Sequence, residues 1–68
     1  MNKVRQSRIK AELTQMQVAD KINITTRNYQ HIEQGRLPRV DRAITIAKVL
    51  NTTVEELWGK TTNKNNNN

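Results

Sequence analysis

Thr26, Arg27, Gln30 and His31 crowd four hydrogen-bonding side chains into one short stretch of the chain. A hydroxyl, a guanidinium, a carboxamide and an imidazole are the groups that pair with the polar edges of nucleic-acid bases, arginine and glutamine through two hydrogen bonds at once. At about 100° per residue, Arg27, Gln30 and His31 would share one side of a helix while Tyr29 and Ile32 point nearly opposite. Thr26 falls at the edge of the polar group and at the helix start. A solvated face of a short amphipathic helix would show the same division, so periodicity alone leaves both readings open.

Two short helices and a tight turn, spanning Thr14 to Gly35, would position these residues. Thr14 followed by Gln17 is a capping box, in which hydroxyl and side-chain amide satisfy two orphan backbone amides reciprocally. Val18, Ala19 and Ile22 then give an apolar stripe at helical spacing. Asn23 ends that helix, because asparagine tolerates the left-handed conformation a sharp turn requires. Thr25 caps the next helix, expected over about Thr26 to Gln34. Beyond it, Gly35 and Pro38 punctuate a loop, and Arg36, Arg39 and Arg42 lie in or beside it. Such a loop either is merely solvated or runs along a sugar-phosphate backbone, where guanidinium groups make bidentate contacts.

Composition excludes several classes. The 68 residues contain no cysteine and one histidine, so disulfides and a protein-built zinc site are unavailable. With no paired acidic pocket either, little is left for catalysis, and neither enzymatic activity nor a cofactor is expected. Twelve Lys and Arg against six Asp and Glu give a net charge of +6, which favours a polyanionic partner. No apolar run approaches a membrane span or a signal peptide, since Lys3, Arg5, Arg8 and Lys10 interrupt the start. A soluble, cytoplasmic protein associated with the nucleoid is the expectation.

The remaining segments complete an all-α chain. A first helix over about Lys3 to Lys10 would turn Val4 and Ile9 inward, with Arg8 either a surface cation or a partner for Glu33. From Val40 to Leu50, the residues Val40, Ala43, Ile44, Ile46, Ala47 and Leu50 form a stripe wide enough for a helix covered on most sides. Thr53 with Glu56 is a second capping box, opening a short helix with Val54, Leu57 and Trp58 that Gly59 ends. Trp58 either closes the small core or lies with Val54 at a subunit interface. One helix-turn-helix domain over residues 1–60 is expected, followed by a disordered polar tail over residues 61–68.

Leu-Thr-Gln at 13 to 15, Val-Ala at 18 to 19, Ile-Glu-Gln-Gly at 32 to 35 with Pro38 beyond, and Ile-Ala-Lys-Val-Leu at 46 to 50 leading to Thr-Val-Glu-Glu-Leu at 53 to 57 occur in order. At that spacing the chain resembles the lambda-repressor-like (Cro/Xre type) helix-turn-helix DNA-binding family of bacteria and phages, from about Val4 to Trp58. The resemblance implies a compact bundle of five short helices. It places Gln15 at a phosphate, Thr26, Arg27 and His31 at base-reading positions with Asn28 and Gln30 as contacting neighbours, and Arg8 with Glu33 in a partly buried ion pair. The chain departs from the family pattern at Asn23 and Asn51, where glycines are common, at Glu12, where a glycine is usual, and at Arg39, which stands where a serine or threonine cap is usual. Tyr29 replaces an aliphatic core residue, so its hydroxyl is expected to reach solvent or a polar partner.

Together these features lead to the expectation of a sequence-specific transcriptional regulator, a repressor acting as a homodimer on double-stranded operator DNA with inverted repeats, its third helix in the major groove. The alternatives are an antitoxin or restriction-system controller of the same fold, and a protein-interaction module that does not read DNA.

Overall fold

The computed structural model describes residues 2–59. Among them the chain forms the expected five helices: α1 (Lys3–Lys10), α2 (Gln15–Lys21), α3 (Thr26–Glu33), α4 (Val40–Val49) and α5 (Val54–Trp58). The tail expected over residues 61–68 lies outside the described residues.

Helix starts follow the capping residues. The Thr14 hydroxyl accepts from the Gln17 amide at 3.1 Å while the Gln17 side chain accepts from the Thr14 amide at 2.8 Å, the reciprocal pair of a capping box. Thr25 accepts from Asn28 N, and Thr53 from Glu56 N, both at 3.1 Å; Thr53 forms only this half of the expected second capping box. Asn2, which the sequence reading passed over, caps α1 by accepting from Arg5 N at 2.9 Å. Arg39 precedes α4 without any side-chain cap; in the first turn Asp41 accepts from the Arg42 amide instead.

Four helices stop in the same way. After α1, Glu12 N donates to Ile9 O and Leu13 N to Arg8 O; Asn23 and Ile24, Gly35 and Arg36, and Asn51 and Thr52 repeat the pattern after α2, α3 and α4. This is the Schellman arrangement, and it requires a positive φ at the first residue past the cap. Glu12, Asn23, Gly35 and Asn51 have φ of 63°, 65°, 125° and 60°. Asparagine accepts that conformation with little strain, whereas glutamate has no local compensation for its Cβ clash.

The core is built from Val4, Val18, Ala19, Ile22, Tyr29, Ile32, Ile46, Ala47, Leu50 and Leu57, with Leu13, Ile24, Val49, Val54 and Trp58 packed on it. Helix α2 packs most extensively on α3, while α5 closes the bundle against α1 and α4.

Three expectations about burial are corrected. Ile9 is 55% exposed, because it lies roughly 140° around α1 from Val4, and Arg8, one turn beyond Val4, takes the inward position. Val40 and Ile44 are 71% and 46% exposed: the covered arc of α4 ends at Ala43, Ile46, Ala47 and Leu50, so that helix is not covered on most sides. Tyr29 is wholly buried, and its hydroxyl does not reach solvent.

Releasing the strain at Glu12 should stabilise the fold. Glu12→Gly is expected to raise the unfolding free energy by about 1 kcal/mol, measured by urea denaturation. Asn23→Ala, which puts a Cβ without a compensating side chain at the same kind of turn, should lower it by a similar amount.

Candidate nucleic-acid interface

Helix α3 is fixed through one side and displays the other. Tyr29, Ile32 and Glu33 are buried, Arg27 and Asn28 exposed, and Thr26, Gln30 and His31 half-buried. Stepping at about 100° per residue, the accessible arc runs Gln30, Arg27, His31, Asn28, with Thr26 beside Gln30 at the helix start. Gln30 therefore stands at one edge of the strip and Asn28 at the other, with Arg27 and His31 between.

One edge of the strip meets a cationic cluster, and the other a polar hollow. On the Asn28 side, Asn28 lines a shallow cavity of about 160 Å³ together with Arg36, Arg39 and Arg42, floored by Ile24, Ile32 and Pro38. On the Gln30 side, Gln30 and Gln15 line a second hollow with Arg5, Gln34 and the paired Arg8 and Glu33. Arg5 and Gln34 were not singled out from the sequence. The signal for Arg5 was its place three residues before Arg8, which puts both on one side of α1.

The Gln30 edge is tied to the interior by a chain of hydrogen bonds. Gln30 Nε2 donates to Gln15 Oε1 at 3.1 Å, and Gln15 Nε2 donates to Glu33 Oε1 at 3.0 Å. Glu33 Oε2 accepts from Arg8 Nε at 2.6 Å, and Arg8 Nη1 donates to the Leu13 carbonyl at 2.9 Å. The Arg8 and Glu33 side chains are 12% and 5% exposed. Gln15 thus stands at the start of α2 with its carbonyl oxygen and one amide hydrogen engaged, leaving its second amide hydrogen for a ligand.

Burial would push the Glu33 carboxyl up, but hydrogen bonds from Arg8 and Gln15, the nearby Tyr29 phenol and the Arg8 charge outweigh it and hold the group below the usual carboxylate range. Tyr29 is shifted upward, first by burial and then by the adjacent Glu33 carboxylate. Its hydroxyl lies near that carboxylate without the geometry of a hydrogen bond, and is the single buried side-chain polar atom without a partner among the described residues.

A family model described as helix-turn-helix matches residues 4–57, most of the chain. The chain belongs to the Cro/C1-type helix-turn-helix family. No curated protein and no solved structure gives a significant match. In this helix-turn-helix protein α2 and α3 form the motif, and membership makes it a DNA-binding regulator of the Cro/C1 type. Among the described residues no cluster of His, Cys, Asp and Glu could hold a metal ion, and no helix is long and apolar enough to cross a membrane. Val54 and Trp58 line a separate groove between α4 and α5.

The carboxyl binds protons less tightly in the fold than in the unfolded chain, whose value lies near ~4.3. Stability from the Arg8–Glu33 pair is therefore complete above that pH and lost as pH falls through the lower folded value. Glu33→Ala should cost about 3 kcal/mol at neutral pH, because it strands a buried guanidinium, and should flatten the acid limb of a stability-versus-pH curve. Tyr29→Phe removes one of the groups that hold the Glu33 carboxyl down, and is expected to move the acid limb of the stability-versus-pH curve to higher pH.

Proposed function

We propose that this protein is a sequence-specific transcriptional repressor that binds an inverted-repeat operator as a homodimer, with α3 in the major groove and Thr26, Arg27, Asn28, Gln30 and His31 facing the bases. The observation that supports this reading is the accessible strip of α3, bordered on one edge by Arg36, Arg39 and Arg42 and on the other by Gln15 and Arg5. An α-helix with its side chains is about 10–12 Å across and the major groove about 12 Å wide. A helix seated there has a phosphate strand along each flank. Arg36, Arg39 and Arg42 suit one strand, and Gln15 with Arg5 suits the other.

The two kinds of contact have different consequences. Phosphate contacts set orientation and register, and base contacts supply sequence preference. Arg27 and His31, central in the strip and outside both cavity walls, are assigned to bases. Gln30, its amide held by Gln15, presents one fixed arrangement of donor and acceptor.

Dimerisation follows from reach. One short helix spans only a few base pairs, and a two-fold repeat at about 34 Å doubles the sequence read. A dimer of this size seated across a promoter excludes other proteins from the same DNA, which is the basis for assigning repression. Cytoplasmic localisation on the nucleoid follows from that role.

Selection of random duplexes by the purified protein, followed by sequencing, tests the reading, which requires enrichment of a two-fold symmetric motif. On the selected duplex, Arg27→Ala should lose about 1–3 kcal/mol and relax preference at particular base pairs. Arg39→Ala should weaken all sequences alike and reduce the slope of log K against log salt by about one unit. Retention of DNA without any enriched motif, or uniform losses in both variants, would remove the assignment of α3 as the reading element.

A further inference from the structure

Glu33 gives a direction to the hydrogen bonds that end at Gln30. An ionised carboxylate can only accept, and with Oε2 taken by Arg8 Nε, the remaining Glu33 oxygen requires a donor from Gln15. The amide nitrogen of Gln15 therefore points inward and its carbonyl oxygen points to Gln30, which answers with its own amide nitrogen. Turning either carboxamide over would set like atoms against each other. The end of an accessible side chain is thus oriented by a buried carboxyl two hydrogen bonds away.

Gln30 keeps one N–H and its carbonyl oxygen for a ligand. In the major groove adenine presents an acceptor beside a donor, N7 and the N6 amino group, which match that pair; guanine presents two acceptors, N7 and O6. A mobile glutamine meets either base, because it can rotate to offer guanine its amide alone. Held by Gln15, Gln30 cannot make that turn without breaking the chain, and its oxygen is left facing the O6 of a guanine.

We propose that Gln30 reads an adenine at one position of the recognised sequence, and that the Glu33 carboxylate, acting through Gln15, fixes the end of Gln30 that does so. This assignment rests on the DNA-reading role of α3 proposed above and gives a base to one of its residues. Gln15 and Glu33 are positioning residues, since neither meets the base. Reversing the chain should reverse the preference. In Glu33→Gln, Arg8 can only donate and holds the new carboxamide by its oxygen, so its amide nitrogen faces Gln15. Gln15 then turns its oxygen inward and its nitrogen to Gln30, which accepts with its oxygen. The group left outward on Gln30 is its amide, a donor suited to guanine.

Selection of random duplexes by the full chain and its variants tests this, with far-UV circular dichroism confirming helix content in each. The wild type should favour adenine over guanine at one position by about tenfold, and Gln30→Ala should lose that preference there alone. Gln15→Met, which removes the link but keeps the side chain's length, should lower it to about twofold at the same position and leave every other preference intact, whatever the overall loss of affinity. Glu33→Gln should favour guanine at that position, and adding Gln15→Met should abolish the switch. If Glu33→Gln does not fold, Gln15→Met alone decides. Purely structural roles for Gln15 and Glu33 would weaken binding to all sequences alike and move no single position. That result, or a Gln30→Ala motif identical to that of the wild type, would overturn the proposal while leaving the reading by α3 in place. A wild type that enriches no motif would overturn both.

Discussion

The Arg8–Glu33 pair is the contact on which the arrangement of the first three helices depends. It joins α1 to the last turn of α3 inside a small apolar core, where an unpaired charge would be costly. Each carboxylate oxygen has a donor, one from Arg8 and one from Gln15, and the guanidinium also binds the Leu13 carbonyl at the turn between α1 and α2. A buried ion pair stabilises only when its remaining hydrogen-bonding capacity is met in this way. Because Gln15 passes the connection on to Gln30, the geometry of an accessible side chain is set by a charge that solvent scarcely touches.

A chain this short has little core to spare, and much of its definition is local. Threonine hydroxyls open α2, α3 and α5, and one turn motif closes α1, α2, α3 and α4. These devices fix where each helix stops and therefore the angle at which the next one leaves. The two places that depart from good local chemistry are Glu12, with its left-handed backbone, and Arg39, a helix cap without a capping group. Arg39 stands beside Arg36 and Arg42 on the cationic side of the molecule.

Helix positions were legible in the sequence because capping and turn residues act over three or four positions. Thr14 with Gln17, and Asn23, Gly35 and Asn51, mark boundaries by chemistry that needs no tertiary partner. The division of α3 into buried and accessible sides followed from period alone. Burial at the edges of helices was not legible in that way. Ile9 turned outward because Arg8 occupies the inward position, and Val40 and Ile44 lie beyond the reach of α5's cover, facts that depend on which helices meet. Nor does spacing show that Gln15, fifteen residues from Gln30 and eighteen from Glu33, would stand between them. Tyr29 is the opposite case: its apolar ring was readable as core, while the depth to which its hydroxyl sinks depends on Glu33 and Arg8 drawing the polar interior around it.

Leu37 and Pro38 line both the arginine-rich cavity beside α3 and the apolar groove between α4 and α5. One loop therefore serves as a wall of two surfaces, and the restricted backbone around Pro38 limits how far it can adapt to each separately. Occupants of the two surfaces that favour the same arrangement of this loop would strengthen each other, and by thermodynamic necessity to the same degree in both directions.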